Sequence, residues 1–174
     1  MKRRRHWTTR LGGAILAILA IVLLIHTTTL TQVNVTTARF MPHFRAGDHL
    51  LVFRWAYGWI VPWSTTNEPQ RVGKGIPRVG DWVLIYDPTD TTTNAVRLRP
   101  QILAQVNNIS GDTLTIWLPQ VTGGDEQDSL YTTWQISQTT ANHLIGRVIC
   151  ISYHTRPTGG IDWTRTFASL PTIK

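Results

Sequence analysis

The stretch Asp112–Leu118, DTLTIWL, sets Leu114, Ile116 and Leu118 on one side of an extended chain and Thr113, Thr115 and Trp117 on the other. That period of two marks a half-buried β-strand, because successive side chains of a strand point to opposite faces. Working outward, DHLLVFRWAYG (48–58), DWVLIYD (81–87), QILAQVNNIS (101–110), DTLTIWLPQ (112–120) and HLIGRVICISYH (143–154) are likewise rich in β-branched and aromatic residues. Gly, Pro, Asn and Asp punctuate them, as turns between short strands require. No window of twelve or more residues beyond residue 30 keeps a helical period, although SQTTANHLIG (137–146) has room for one helical turn. No internal repeat is evident. The expected fold is mainly β: a coiled, mostly antiparallel domain over residues 31–174.

The formal net charge of +7 would suit an anionic partner, but its placement does not. Lys2, Arg3, Arg4, Arg5 and Arg10 all fall in the first ten residues, and the rest of the chain carries 12 basic and 10 acidic side chains. A nucleic-acid binder spreads a basic stripe over its folded face, so no nucleic-acid partner is expected. The basic tail (1–10) precedes LGGAILAILAIVLLI, Leu11–Ile25, which has no charged residue. Fifteen helical residues reach only about 22 Å against a hydrocarbon core of about 30 Å, so the expected span is extended to residues 11–30. Trp7 suits an interfacial ring, and Arg10 can reach back toward headgroups. A cleaved signal peptide shares the basic start and apolar run. The following HTTTLTQVNVTT (26–37) has no small-x-small cleavage site, which favours an uncleaved signal-anchor. The expectation is a single-pass protein of the inner or plasma membrane, with membrane lipid as a partner, the N-terminus cytoplasmic and the bulk outside.

Two segments read as loops, STTNEPQRVGKGIPRVG (64–80) and DPTDTTTNA (87–95). The aromatic run RWAYGWIVPW (54–63) holds Trp55, Tyr57, Trp59 and Trp63, with two readings open: core residues, or indole rings at the membrane interface. Cys150 is the single cysteine and lies in an apolar run, so it reads as a small buried hydrophobe. No Cys or His spacing has the form of a metal site, and no cofactor is expected.

The order of motifs resembles the type I signal peptidases, membrane-bound serine proteases. FMPHFRAGDHLLVFRWAYG (40–58) is similar to that family's S-M-x-P-T-L-x-x-G-D-x-x-L-V-x-K-x-x-Y-G box, and PRVGDWVLIYDP (77–88) to its G-D-x-V-V-F box. LAQVNNISGDTL (103–114) resembles I-K-R-V-x-G-x-P-G-D-x-V, and LIGRV (144–148) the closing I-x-G-K segment. Behind an apolar N-terminus, this series implies a β domain of the signal-peptidase type. Gly47, Asp48, Tyr57, Gly58, Gly80, Asp81, Gly111, Asp112 and Gly146 would be its structural positions.

The resemblance also implies a Ser–Lys dyad, in which a desolvated neutral lysine takes the serine proton. Aligned on Gly47–Asp48, the serine position falls on Arg39, or on Phe40 when Met41 is matched to the family methionine. Aligned on Gly111–Asp112, the lysine position falls on Ala104. None of these side chains can do the chemistry. Arginine stays protonated, and alanine has no lone pair. The substitutes within reach of the box are Thr37 or Thr36 as nucleophile, with His43 or His49 as base. The family box G-D-N-x-x-x-S-x-D-S-R is worn down to GGDEQDSLYTTW (123–134). A non-catalytic relative is therefore expected. Thr37, Ala38, Arg39, Phe40, Met41 and Pro42 would form the edge that receives a signal peptide or other extended segment. An active signal peptidase or the export machinery would be further partners. The alternatives are an active serine endopeptidase with a rearranged site, and a membrane-surface scaffold.

Overall fold

The computed structural model describes residues 12–22, 29–37, 40–41, 43–61, 69–73, 75–90, 95–121, 132–168 and 170. Residues 12–22 form an α-helix whose side chains are all exposed. Among the described residues no helix is long and apolar enough to cross a membrane. Leu11 and residues 23–28 of the expected span, and Trp7, lie outside the described residues. Leu30, the last residue of the expected span, opens a strand and pairs with Phe53. The β-branched residues around it favour extended backbone, so the ladder begins before the expected anchor ends.

The domain is mainly β and antiparallel. In chain order the strands are β1 (Leu30–Asn34), β2 (Asp48–Phe53), β3 (Trp59–Ile60), β4 (Arg71–Val72) and β5 (Trp82–Tyr86). They continue with β6 (Gln101–Ser110), β7 (Thr113–Val121), β8 (Thr132–Thr140), β9 (Leu144–Thr155) and β10 (Ile161–Asp162). The main sheet runs β1-β2-β9-β5-β6-β7-β8, with β10 also on β9, and β3 and β4 form a separate two-stranded ribbon. The 64–80 segment thus contains a strand where only loop was expected. The expected helical turn is a single 3-10 turn at Ala141–His143. A second 3-10 turn, Arg54–Tyr57, ends β2 and takes Trp55 and Tyr57 out of the strand.

The sheet is buried on both faces at its centre. All five residues of β5 are buried. Trp82, Leu84 and Tyr86 face a first core with Phe44, Leu50, Val52, Leu103, Ile145, Val148 and Ile151. Val83 and Ile85 face a second core with Tyr57, Ala104, Val106, Leu114, Ile116, Leu118 and Leu144. Register shifts in the β2–β9, β5–β9 and β6–β7 pairings bend the strands, as bulges do. The sheet coils far enough that Val33 of β1 and Trp134 of β8, from its two edges, pack on the same first core. Trp82 is the hub, edge-on to Phe44 at 4.7 Å and to Trp134 at 5.9 Å between ring centres. Truncating a buried aromatic of this size costs about 3–5 kcal/mol. Gly146 is where β9 passes the end of β2, and a Cβ there would sit 2.7 Å from the Phe53 carbonyl oxygen and 2.9 Å from Arg54 Cα.

Candidate functional site

Two of the three described Gly-Asp positions build the same object. In Arg45–Asp48 the Asp48 amide donates to the Arg45 carbonyl (3.0 Å), and the carboxylate Oδ2 accepts the Arg45 amide (2.8 Å). In Arg78–Asp81 the equivalent distances are 3.0 and 2.9 Å. Each turn needs a residue with positive φ at its third position, supplied by Gly47 (94°) and Gly80 (91°). Each then hooks onto one buried valine of a neighbouring segment. Gly47 donates to the Val35 carbonyl at 2.7 Å, and Val35 donates to the Asp48 carbonyl at 2.9 Å. Gly80 and Asp81 hold Val106 in the same way, at 2.8 and 2.9 Å. A short repeat, Arg-x-Gly-Asp plus strand, is therefore present where none was evident from sequence. Gly111–Asp112 differ, forming the two-residue turn between β6 and β7, with Ser110 opposite Thr113.

The segment before the first turn carries the expected peptide edge. Thr37, Phe40 and Met41 are described; Ala38, Arg39 and Pro42 lie outside the described residues. Phe40 packs on the first core, and its carbonyl accepts the Phe44 amide at 2.9 Å, closing one turn of chain. Met41 is 49 % exposed. The His43 ring lies 5.8 Å from Trp82 and 5.5 Å from Trp134, and burial lowers its pKa, which keeps the imidazole neutral at pH 7. His49 is occupied elsewhere, stacked on Tyr153 at 4.1 Å and bonded through Nε2 to the Thr155 hydroxyl at 3.0 Å.

Ala104 is fully buried on β6, opposite Val83, with its side chain in the second core. Phe40, Phe44 and His43 belong to the first-core side through Trp82. Phe40, the alternative serine position, and Ala104 thus lie against opposite faces of the central sheet, while Arg39 is outside the described residues. Strand alternation points Leu103 and Gln105 toward the 40–44 segment instead. Gln105 is buried and donates Nε2 to the Gly80 carbonyl at 3.0 Å, bracing the second turn.

Asp48 and Asp81 collect the cationic side chains that sequence reading did not single out. Asp48 is fully buried. Its Oδ1 accepts from His154 Nδ1 (2.8 Å) and Arg165 Nε (3.2 Å), and its Oδ2 from Arg165 Nη2 (2.9 Å). Asp81 accepts the Tyr57 hydroxyl at 3.2 Å and lies 3.4 Å from Arg147 Nη2. Burial first, then the Asp81 charge, pushes the Tyr57 phenol well above its ordinary value, so it stays a donor. The only hint of these pairings in the sequence is the twice-written R-x-G-D.

Trp55 and Trp59 are 38 % and 36 % exposed, so the core reading of the aromatic run does not hold for them; Trp63 lies outside the described residues. Gly58 follows the 3-10 turn with φ 106° and donates its amide to the Trp55 carbonyl. Cys150 is buried, and burial raises its thiol pKa, as suits a packing residue. Among the described residues no group of three His, Cys, Asp or Glu could hold a metal ion. A hollow of about 960 Å³ lies between the β3–β4 ribbon and the β6–β7 and β8–β9 turns. Comparison with the models of known protein families and with curated proteins finds no match.

Proposed function

We propose that this chain is a membrane-anchored, extracytoplasmic protein of the signal-peptidase type that binds an extended peptide and does not cleave it. The observation that carries the reading is Ala104. It stands where the resemblance calls for a proton acceptor, yet it is a fully buried methyl group in an apolar core. Gly47–Asp48 and Gly80–Asp81 form turns and Gly146 a close strand crossing, which supports the reading. Residues 37–42, which follow β1 in the chain, are the strip that would receive an added strand, by main-chain hydrogen bonds to an extended ligand.

Hydrogen exchange tests the binding half. Adding a signal-peptide analogue to saturation should slow exchange of the amides within residues 37–42, and unchanged exchange there removes the peptide-binding reading. Incubation with a signal-peptide substrate tests the catalytic half. The wild-type chain should show no turnover above background. Turnover abolished by Thr37→Val and kept by Arg39→Ala would establish a rearranged enzyme instead.

A further inference from the structure

β8, TTWQISQTT, ends the main sheet: it pairs with β7 on one side and has no strand on the other among the described residues. Its nine pairs with β7, from Thr113–Thr140 to Val121–Thr132, run without a register shift. The β2–β9, β5–β9 and β6–β7 pairings all carry one. The outer edge of β8 is therefore a regular row of main-chain donors and acceptors, about 27 Å long. Proteins blunt such an edge with lysine, proline or a bulge, or keep it very short. β8 has no charged residue, no proline and no bulge. The opposite edge strand, β1, is short, with five residues.

The side chains indicate what the edge fits. Leu114, Ile116 and Leu118 face the second core, so their partners Thr139, Ser137 and Gln135 share that face. Trp134, Ile136 and Gln138 take the other face, where Trp134 packs on the first core. Ile136 is the middle residue of the strand and its single aliphatic side chain, and it is 51 % exposed. A second copy laid antiparallel, Ile136 opposite Ile136, sets Trp134 against Gln138 and Gln135 against Ser137. No like charges meet, the two isoleucines cover each other, and the outward N–H and C=O groups gain partners. The sequence running into β8 carries Asp125, Glu126 and Asp128. Antiparallel strands start at opposite ends, which keeps the two acidic stretches apart, whereas parallel strands start together. Because both copies use the same edge, the contact closes at two and leaves no β8 edge to extend.

We propose that β8 is a dimer interface: two copies of this chain pair their β8 edges antiparallel about a two-fold axis at Ile136. The proposal rests on β8 and is independent of peptide binding at residues 37–42.

The test uses the full chain in detergent, with micelles in large excess so that chance co-occupancy is negligible. The protein mass should rise with concentration from 19.7 kDa to twice that value. Ile136→Cys, in a Cys150→Ser background, should give a disulfide-linked dimer on mild oxidation, since directly opposed residues have Cα atoms about 4.5–5.5 Å apart. Gln138→Cys should not, because its two copies lie four residues out of step, about 14 Å apart. Ile136→Lys and Ile136→Glu should each weaken dimerisation at least about tenfold, and mixing the two variants should restore a dimer. The proposal is overturned if the wild-type chain stays monomeric at about 100 µM, or if Ile136→Lys dimerises as well as wild type. Equal crosslinking through Gln138→Cys and Ile136→Cys also overturns it. So does a monomeric chain whose amides at residues 134–140 are protected by an unrelated extended peptide. The mass measurement needs no variant, so it decides the matter even if a substituted chain does not fold.

Discussion

The turns Arg45–Asp48 and Arg78–Asp81 have the same backbone, the same glycine position and the same carboxylate-to-amide bond, and each grips one buried valine. They differ in what lies behind the carboxylate. The Asp48 side chain is fully enclosed and takes three further bonds from His154 and Arg165, whose side chains are 12 % and 24 % exposed. The Asp81 side chain is 12 % exposed, and its arginine, Arg147, is 49 % exposed at 3.4 Å. Local chemistry therefore makes the turn in both places, while burial decides how much of the domain depends on it. A carboxylate in water loses little when its partner goes; an enclosed one leaves unpaired charge behind.

The sharpest way to break the comparison is Asp48→Ala. It strands Arg165 and His154 beside an apolar core and should cost about 3–5 kcal/mol in urea unfolding. A loss below about 1 kcal/mol would mean that the enclosed cluster is no stronger than a surface pair. Arg165→Met should cost less, about 1.5–3 kcal/mol, because Asp48 keeps the Arg45 amide and His154. Asp81→Ala should cost about 1–2 kcal/mol, mostly from the lost turn bond and the freed Tyr57 hydroxyl. Arg147→Met should change stability by no more than about 1 kcal/mol, and that small effect should shrink further in 0.5 M salt. If Arg147→Met and Arg165→Met cost the same, burial is not what separates the turns.

A pH series resolves the smallest effect, at the approach to the first turn. Burial lowers the His43 pKa below its ordinary 6.5, so the unfolded chain binds the proton more readily than the folded one. The His43 contribution is complete above pH 6.5 and is lost as pH falls toward the folded value. His43→Phe should reduce the loss of stability as pH falls below 6.5. An undiminished slope in His43→Phe would place the titrating group elsewhere.

How far the sequence could be read follows the same division between local and distant causes. The β7 alternation was legible at Leu114, Ile116 and Leu118, because one face meets the second core and the other does not. β5 was legible as a strand, but WVLIY has no alternation from which to learn that both its faces are covered. The neighbours of β9, drawn from β2 and β5 on either side, were not legible, since they join segments far apart in the chain. The same holds for the candidate site. Ala104 could be placed on a strand, but not on a face, and the 40–44 segment could not be assigned to the other face. Arg165 and Arg71 have the composition of ordinary surface arginines, and only the folded chain shows what encloses them.

The Asp48 cluster also orders events in time. The first turn leaves the ribosome early, but Arg165, which completes it, follows 117 residues later. Until then the carboxylate lacks its arginine, so the enclosed cluster is complete only once Arg165 has been made. A product that stops before His154 and Arg165 lacks both partners and remains open to proteases.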